Sequence, residues 1–249
     1  MGHTIAIAGK GGTGKTTISG LIIRLIKEKK LGSVLGIDAD PNSNLGEALG
    51  MRPKQTISGI LDGVAANPDK IPAGMTKDRF IEYQVQTIIE EGEGFDLLTM
   101  GRPEGPGCYC FVNNVLKNIM ARLLADYKFV VIDNEAGLEH LSRKTQASLD
   151  RLIVVSDPSA AGLRAARRIS ELTDELKFKV KNKFLIINRQ DKEIEKNRIK
   201  SLGLEYIGMV PEDSGVMDLS IKNDPVFKLK KDSPAFLKMN VLLDKVISG

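Results

Sequence analysis

Short apolar runs alternate along the chain with longer amphipathic stretches. The runs are Thr4–Ala8, Val34–Ile37, Phe95–Met100, Phe129–Ile132, Leu152–Val155, Lys183–Ile187 and Tyr206–Val210. Helix-length stretches lie among them, at Thr16–Lys29, Lys77–Glu91, Asn113–Ala125, Ala160–Leu176, Glu193–Leu202 and Pro234–Val246. Short runs without polar alternation suit strands buried on both faces, and the intervening helices supply the cover. The pattern predicts an α/β fold: one doubly wound, mostly parallel sheet of about seven or eight strands flanked by helices. No internal repeat, low-complexity tract or linker rich in Pro, Gly and Ser divides the sequence, so residues 1–249 are expected to form a single domain.

In such a sheet the ligand crevice lies beyond the carboxyl ends of the strands. The residues that follow the apolar runs are therefore the ones to inspect. They are Gly9–Thr17, Asp38-Ala39-Asp40-Pro41, Gly101–Cys110, Asp133-Asn134-Glu135-Ala136-Gly137, Asp157-Pro158-Ser159, Asn188-Arg189 and Pro211-Glu212-Asp213. Nearly every chemically loaded residue of the chain falls on this one edge.

Composition narrows the picture. Hydrophobic residues make up 42% and charged residues 27%, enough to fill a core beneath a polar surface. The net charge of +4, from 36 Lys and Arg against 32 Asp and Glu, is too small to argue for nucleic acid. No apolar stretch has the length of a membrane span, and no signal-peptide pattern precedes the first strand. The two cysteines, Cys108 and Cys110, do not make a secreted disulfide framework. The expectation is a cytoplasmic protein that binds neither membrane nor nucleic acid.

Gly9-Lys10-Gly11-Gly12-Thr13-Gly14-Lys15-Thr16-Thr17 is a phosphate-binding loop in its required context, after a strand and before a helix. Its glycines let backbone N–H groups converge on phosphate oxygens at a helix N-terminus. Lys15 is expected to reach the β- and γ-phosphates, and the Thr16 hydroxyl to ligate Mg²⁺. Asp133 closes an apolar run where an acid would hold Mg²⁺ through water. Asp40 is a candidate for positioning the attacking water, with Asp38 as its rival or as a further group beside the magnesium.

The two thiols at i and i+2 can turn toward one metal ion, and a helix expected from Asn113 would favour their thiolates. Two sulfurs do not fill a tetrahedral or square-planar shell, whereas a symmetric dimer supplies four. On spacing alone, buried apolar fillers and a redox pair without metal are equally open. His140 is a further donor, expected to act conformationally, and His3 is expected to be uninvolved.

Lys10 to Thr17 resembles the deviant P-loop of the MinD/ParA/nitrogenase iron-protein class of ATPases, which carries an extra lysine at the position of Lys10. Asp38-Ala39-Asp40-Pro41 resembles their first switch and Asp133–Gly137 their second, so the resemblance spans almost the whole chain. It implies ATP as the nucleotide, a face-to-face homodimer, and a Lys10 that reaches the partner's nucleotide. It also implies that Asn188 reads the adenine while the segment around Pro211 packs against it.

Gly107-Cys108-Tyr109-Cys110, Asn113-Asn114 and Asp133 to Arg143 are similar to the CooC/AcsF-type ATPases. These assist nickel insertion into carbon monoxide dehydrogenase and acetyl-CoA synthase. That resemblance implies a metallochaperone in which Cys108 and Cys110 of two copies hold Ni²⁺ or Zn²⁺, with a nickel enzyme as client. An iron–sulfur carrier or reductase with a bridging cluster, and a positioning ATPase like MinD or ParA, are the competing readings.

Overall fold

The computed structural model describes residues 3–102, 123, 125–135, 149–176 and 179–248. The strands are β1 His3–Ala8, β2 Val34–Ala39, β3 Glu90–Gly92, β4 Phe95–Thr99, β5 Phe129–Asn134, β6 Leu149–Ser156, β7 Val180–Asn188 and β8 Glu205–Val210. They form one sheet in the order β3-β4-β2-β5-β1-β6-β7-β8. Every pairing is parallel except β3 with β4. From β1 the chain works outward to one side and then returns through β5 to β6 on the other. The strand order thus reverses beside β1, which is where a doubly wound sheet opens its crevice.

The helices are α1 Lys15–Glu28, α2 Asn44–Leu49, α3 Ile57–Ala66, α4 Lys77–Thr87, α5 Ala160–Glu175, α6 Lys196–Ile199, α7 Ser214–Lys222 and α8 Pro234–Ser248. Alternate strand residues feed two cores. Ile5, Ile7, Val131 and Ile153 face α1 and α8, while Ala6, Ala8, Ile132 and Val154 face α3, α4 and α5. Cover on both faces is why β1 is apolar at consecutive positions rather than every second one: Ile5 through Ala8 are wholly buried.

Midway along α1, Arg24 is buried, only 2% exposed. Its Nη1 donates to the carbonyls of Val226 (2.6 Å) and Leu229 (2.7 Å), its Nε donates to Glu28 (2.8 Å), and it stacks on Phe236 at 4.4 Å. One side chain therefore ties α1 both to the turn after α7 and to α8. Asp213 plays a matching part at two helix starts. It accepts from the Gly215 and Val216 amides of α7, and from Ser233 Oγ (2.5 Å) and the Ala235 amide (2.9 Å) at α8.

All seven apolar runs become strands, and the helices expected at 16–29, 160–176 and 234–246 form as α1, α5 and α8. The stretch Lys77–Glu91 does not stay helical. α4 stops at Thr87, and Glu93-Gly94 then turns β3 back onto β4, with Gly94 at φ +80° supplying the left-handed backbone of the turn. The stretch 193–202 holds only the four residues of α6. Of the expected helix Asn113–Ala125, only Leu123 and Ala125 fall among the described residues. At the far edge of the sheet the Lys245 ammonium donates to the Ile207 carbonyl of β8 at 2.9 Å. Among the described residues no helix is long and apolar enough to cross a membrane.

Candidate functional site

The loop after β1 turns at once because Gly9 leaves no room for a side chain: a Cβ there would lie 2.2 Å from the Val155 carbonyl oxygen of β6. The loop then closes on the Lys10 carbonyl. This oxygen is approached by the Thr13 amide (3.3 Å), the Thr13 hydroxyl (2.8 Å) and the Lys15 ammonium (3.4 Å). Lys15 is buried by this arrangement, whereas the Lys10 side chain is exposed. Gly14 precedes α1 without any side-chain cap, so the first amides of the helix remain available to an anion.

Asp38 at the end of β2 and Asp133 at the end of β5 are register partners, and both are 0% exposed. Asp133 accepts from the Thr16 hydroxyl at 2.7 Å, and Ser19 Oγ of α1 lies 3.0 Å from its other oxygen. Burial pushes the Asp133 carboxyl up to about 6, against the pull of the Thr16 and Ser19 bonds and the Lys15 charge. Asp38 accepts from the Leu45 amide (2.8 Å) and the Asp40 amide (3.2 Å). Burial pushes it up to about 7, with the neighbouring Asp133 and Asp40 adding to the effect. Asp40 instead borders open space, its Oδ1 accepting from the amide and side chain of Asn42, both at 2.9 Å.

A cleft of about 580 Å³ opens over these groups. Gly12, Lys15 and Thr16 line one wall, Asp40 and Glu47 a second, and Val216 and Leu219 of α7 a third. A smaller recess of about 80 Å³ adjoins it, bordered by Asn188, Pro211, Val216 and Met217. Between the two stands Arg189, held at φ +56°. The Asn188 amide donates to the Thr13 carbonyl at 2.8 Å, and Arg189 Nη1 to the Gly12 carbonyl at 3.3 Å.

The fold thus brings together the residues singled out between Gly9 and Thr17 with Asp38, Asp40, Asp133, Asn188 and Pro211. Thr16 and Asp133 offer a hydroxyl and a carboxylate, the hard oxygen donors that suit Mg²⁺. The raised carboxyls of Asp38 and Asp133 make a nearby cation favourable on electrostatic grounds alone. Cys108, Cys110 and His140 lie outside the described residues. Among the described residues there is no group of three or more His, Cys, Asp or Glu side chains set to hold a metal.

Residues 4–226 match the model of the CobQ/CobB/MinD/ParA nucleotide binding domain. The chain belongs to that family. An uncharacterised ATP-binding protein of Methanocaldococcus jannaschii is 42% identical to it, with 98% of each chain covered. The carbon monoxide dehydrogenase accessory protein CooC of Rhodospirillum rubrum is 30% identical over 85% of this chain and 84% of its own. In three dimensions the chain is similar to the cell division ATPase MinD of Pyrococcus furiosus. The TM-score is 0.74, with 20% identity and coverage of 100% and 99% of the two chains. The fold is therefore that of MinD- and ParA-type P-loop ATPases, a family of nucleotide-binding domains.

Three contributors escaped the reading of the sequence. Ser19 lies one turn after Thr16 on α1, so helical spacing from the loop could have found it. Arg189 follows Asn188 at a strand end, and no local motif gives it a role. The α7 wall gave no signal, because none of its residues is buried and its apolar positions are only partly covered.

Proposed function

We propose that this chain is a Mg²⁺-dependent ATPase that loads nickel into a client enzyme, carbon monoxide dehydrogenase or acetyl-CoA synthase. The observation that carries the hydrolytic part is the 2.7 Å contact between Thr16 and Asp133, which lie 117 positions apart in sequence. It joins the loop that would cradle phosphates to the acid that would support the metal. Mg²⁺ bound there would offset charge on the β- and γ-phosphates. Lys15 would hold phosphate oxygens, backbone amides of Gly11 to Thr17 would surround them, and Asp40 at the cleft wall would orient the attacking water. The adenine would lie toward Asn188 and Pro211.

Support for the nickel part comes from Cys108-Tyr109-Cys110 and from the likeness to CooC. Two copies meeting through Lys10 and the segments after β2 and β5 would bring four thiolates to one Ni²⁺, with Zn²⁺ able to occupy the same shell. ATP binding would then favour the dimer, and the bound metal must in return alter ATP affinity.

The test is an anaerobic Ni²⁺ titration with and without ATP, following sulfur-to-nickel charge-transfer absorbance together with molecular mass. One Ni²⁺ per two chains, lost in Cys108→Ser/Cys110→Ser, is the expected result. One metal per chain with no change of mass would sink the proposal. A brown chromophore after anaerobic purification would favour a bridging iron–sulfur cluster instead. Co-sedimentation with liposomes or DNA would favour a positioning ATPase.

A further inference from the structure

We infer that Asn188 and Arg189 are positioning residues for the phosphate loop, with Asn188 setting the loop's peptide planes in addition to bordering the base recess. The inference rests on the cleft binding a nucleoside triphosphate. Phosphate loops attract anions through their amides, while their carbonyl oxygens carry the opposite partial charge. A loop that binds phosphate must therefore turn its carbonyls away and keep them there. In a planar trans peptide the carbonyl of one residue and the amide of the next point in opposite directions. Holding one fixes the other.

The two residues at the end of β7 do this at consecutive peptides. Asn188 is only 7% exposed and donates its side-chain N–H to the Thr13 carbonyl at 2.8 Å. This turns the Gly14 amide the other way, at the mouth of α1. Gly14 is glycine for the same reason: a Cβ there would sit 2.3 Å from Asn188 Nδ2, so the asparagine fills the space that a side chain would take. Arg189 adopts left-handed backbone at φ +56°, an unfavourable state for a residue with a side chain. The Gln190 amide, donating to the Val210 carbonyl at 3.1 Å, secures the next residue. From this backbone Arg189 Nη1 reaches the Gly12 carbonyl at 3.3 Å and brings a positive charge between cleft and recess.

A residue that only reads the base would leave the binding of phosphate alone untouched. A positioning residue weakens every polyphosphate alike. The experiment measures calorimetric affinity for MgATP, MgGTP and inorganic tripolyphosphate in the full chain, in Asn188→Ser and in Arg189→Ala. Asn188→Ser is expected to weaken all three by about tenfold, tripolyphosphate included, the effect of losing one well-made hydrogen bond. Arg189→Ala, at an exposed position where folding is not at stake, is expected to weaken tripolyphosphate by about threefold at low salt and by less at high salt. Loss confined to ATP, with tripolyphosphate affinity unchanged in both variants, overturns the inference and leaves a base reader. A wild-type chain that binds none of the three ligands overturns the nucleotide reading itself, an outcome distinct from the first.

Discussion

Ser19 is a small residue with a large task at this site. Its hydroxyl lies 3.0 Å from both the Asp133 carboxylate and the Lys15 carbonyl, and so orients the acid toward Thr16 from the opposite side. Groups that orient a metal's supporting carboxylate commonly matter tenfold or more. Ser19→Ala should therefore weaken Mg²⁺ activation of ATP hydrolysis by about tenfold, measured as the Mg²⁺ concentration for half-maximal rate. Asp38 and Asp133 carry a second prediction. Both carboxyls are raised from 3.8, to about 7 and about 6, so each holds its proton more tightly folded than unfolded. Their contribution to stability is complete below the unfolded value and is lost as pH rises through the folded values. Without nucleotide and in the presence of chelator, the melting temperature should fall between about pH 4 and pH 7, and Asp38→Asn should flatten that slope. Added Mg²⁺ should do the same for the wild type. Thr16 and Asp133 were legible in the sequence because the loop motif and the strand end fix their chemistry. The pairing of Asp38 with Asp133 was not, because register between β2 and β5 is set by packing rather than by any local string.

Among the elements, α7 and α8 share a starting point in Asp213. Its carboxylate takes two amides of α7 and both a hydroxyl and an amide at α8, which places Pro211, Val216 and Ala235 around the smaller recess. Asp213→Ala removes two helix caps at once and should cost about 2–3 kcal/mol in denaturant unfolding. It should also weaken ATP binding through the recess wall. The Ser233 hydroxyl and the backbone amides hold the Asp213 carboxyl below its ordinary value against the effect of burial. The stabilisation is therefore present at neutral pH and lost as pH falls below the ordinary carboxylate range, so the gap between variant and wild type should narrow on acidification. The long helices α1, α5 and α8 could be read from periodicity because one stripe of each is buried. The short α2 and the shallow α7 could not, since six residues hold too little pattern and α7 buries none of its own. β3 was overrun by the helix before it, because Glu90 and Glu91 favour helix locally and only the turn at Glu93-Gly94 reverses that preference.

At the scale of the whole molecule, the exposed Lys10 is the residue whose loss should separate association from binding. Lys10→Ala keeps the loop's backbone and Lys15, so ATP affinity should stay within about threefold. If the lysine reaches across to a second copy, ATP should no longer raise the molecular mass, and hydrolysis should fall with it. Light scattering with a non-hydrolysable nucleotide checks the first outcome; retained dimers would show that Lys10 serves its own chain. How such copies meet is also limited by the margins of the sheet. One margin is the three-residue β3 with its two glutamates, and the other is β8, where Lys245 occupies the Ile207 carbonyl. Short charged strands and lysines at open edges deter a neighbour from adding its own strand. Among the described residues both margins of the sheet are thus poor templates for edge-to-edge growth into filaments. A pair formed across the cleft would be a closed assembly, because the same patch of each copy is used up in the contact.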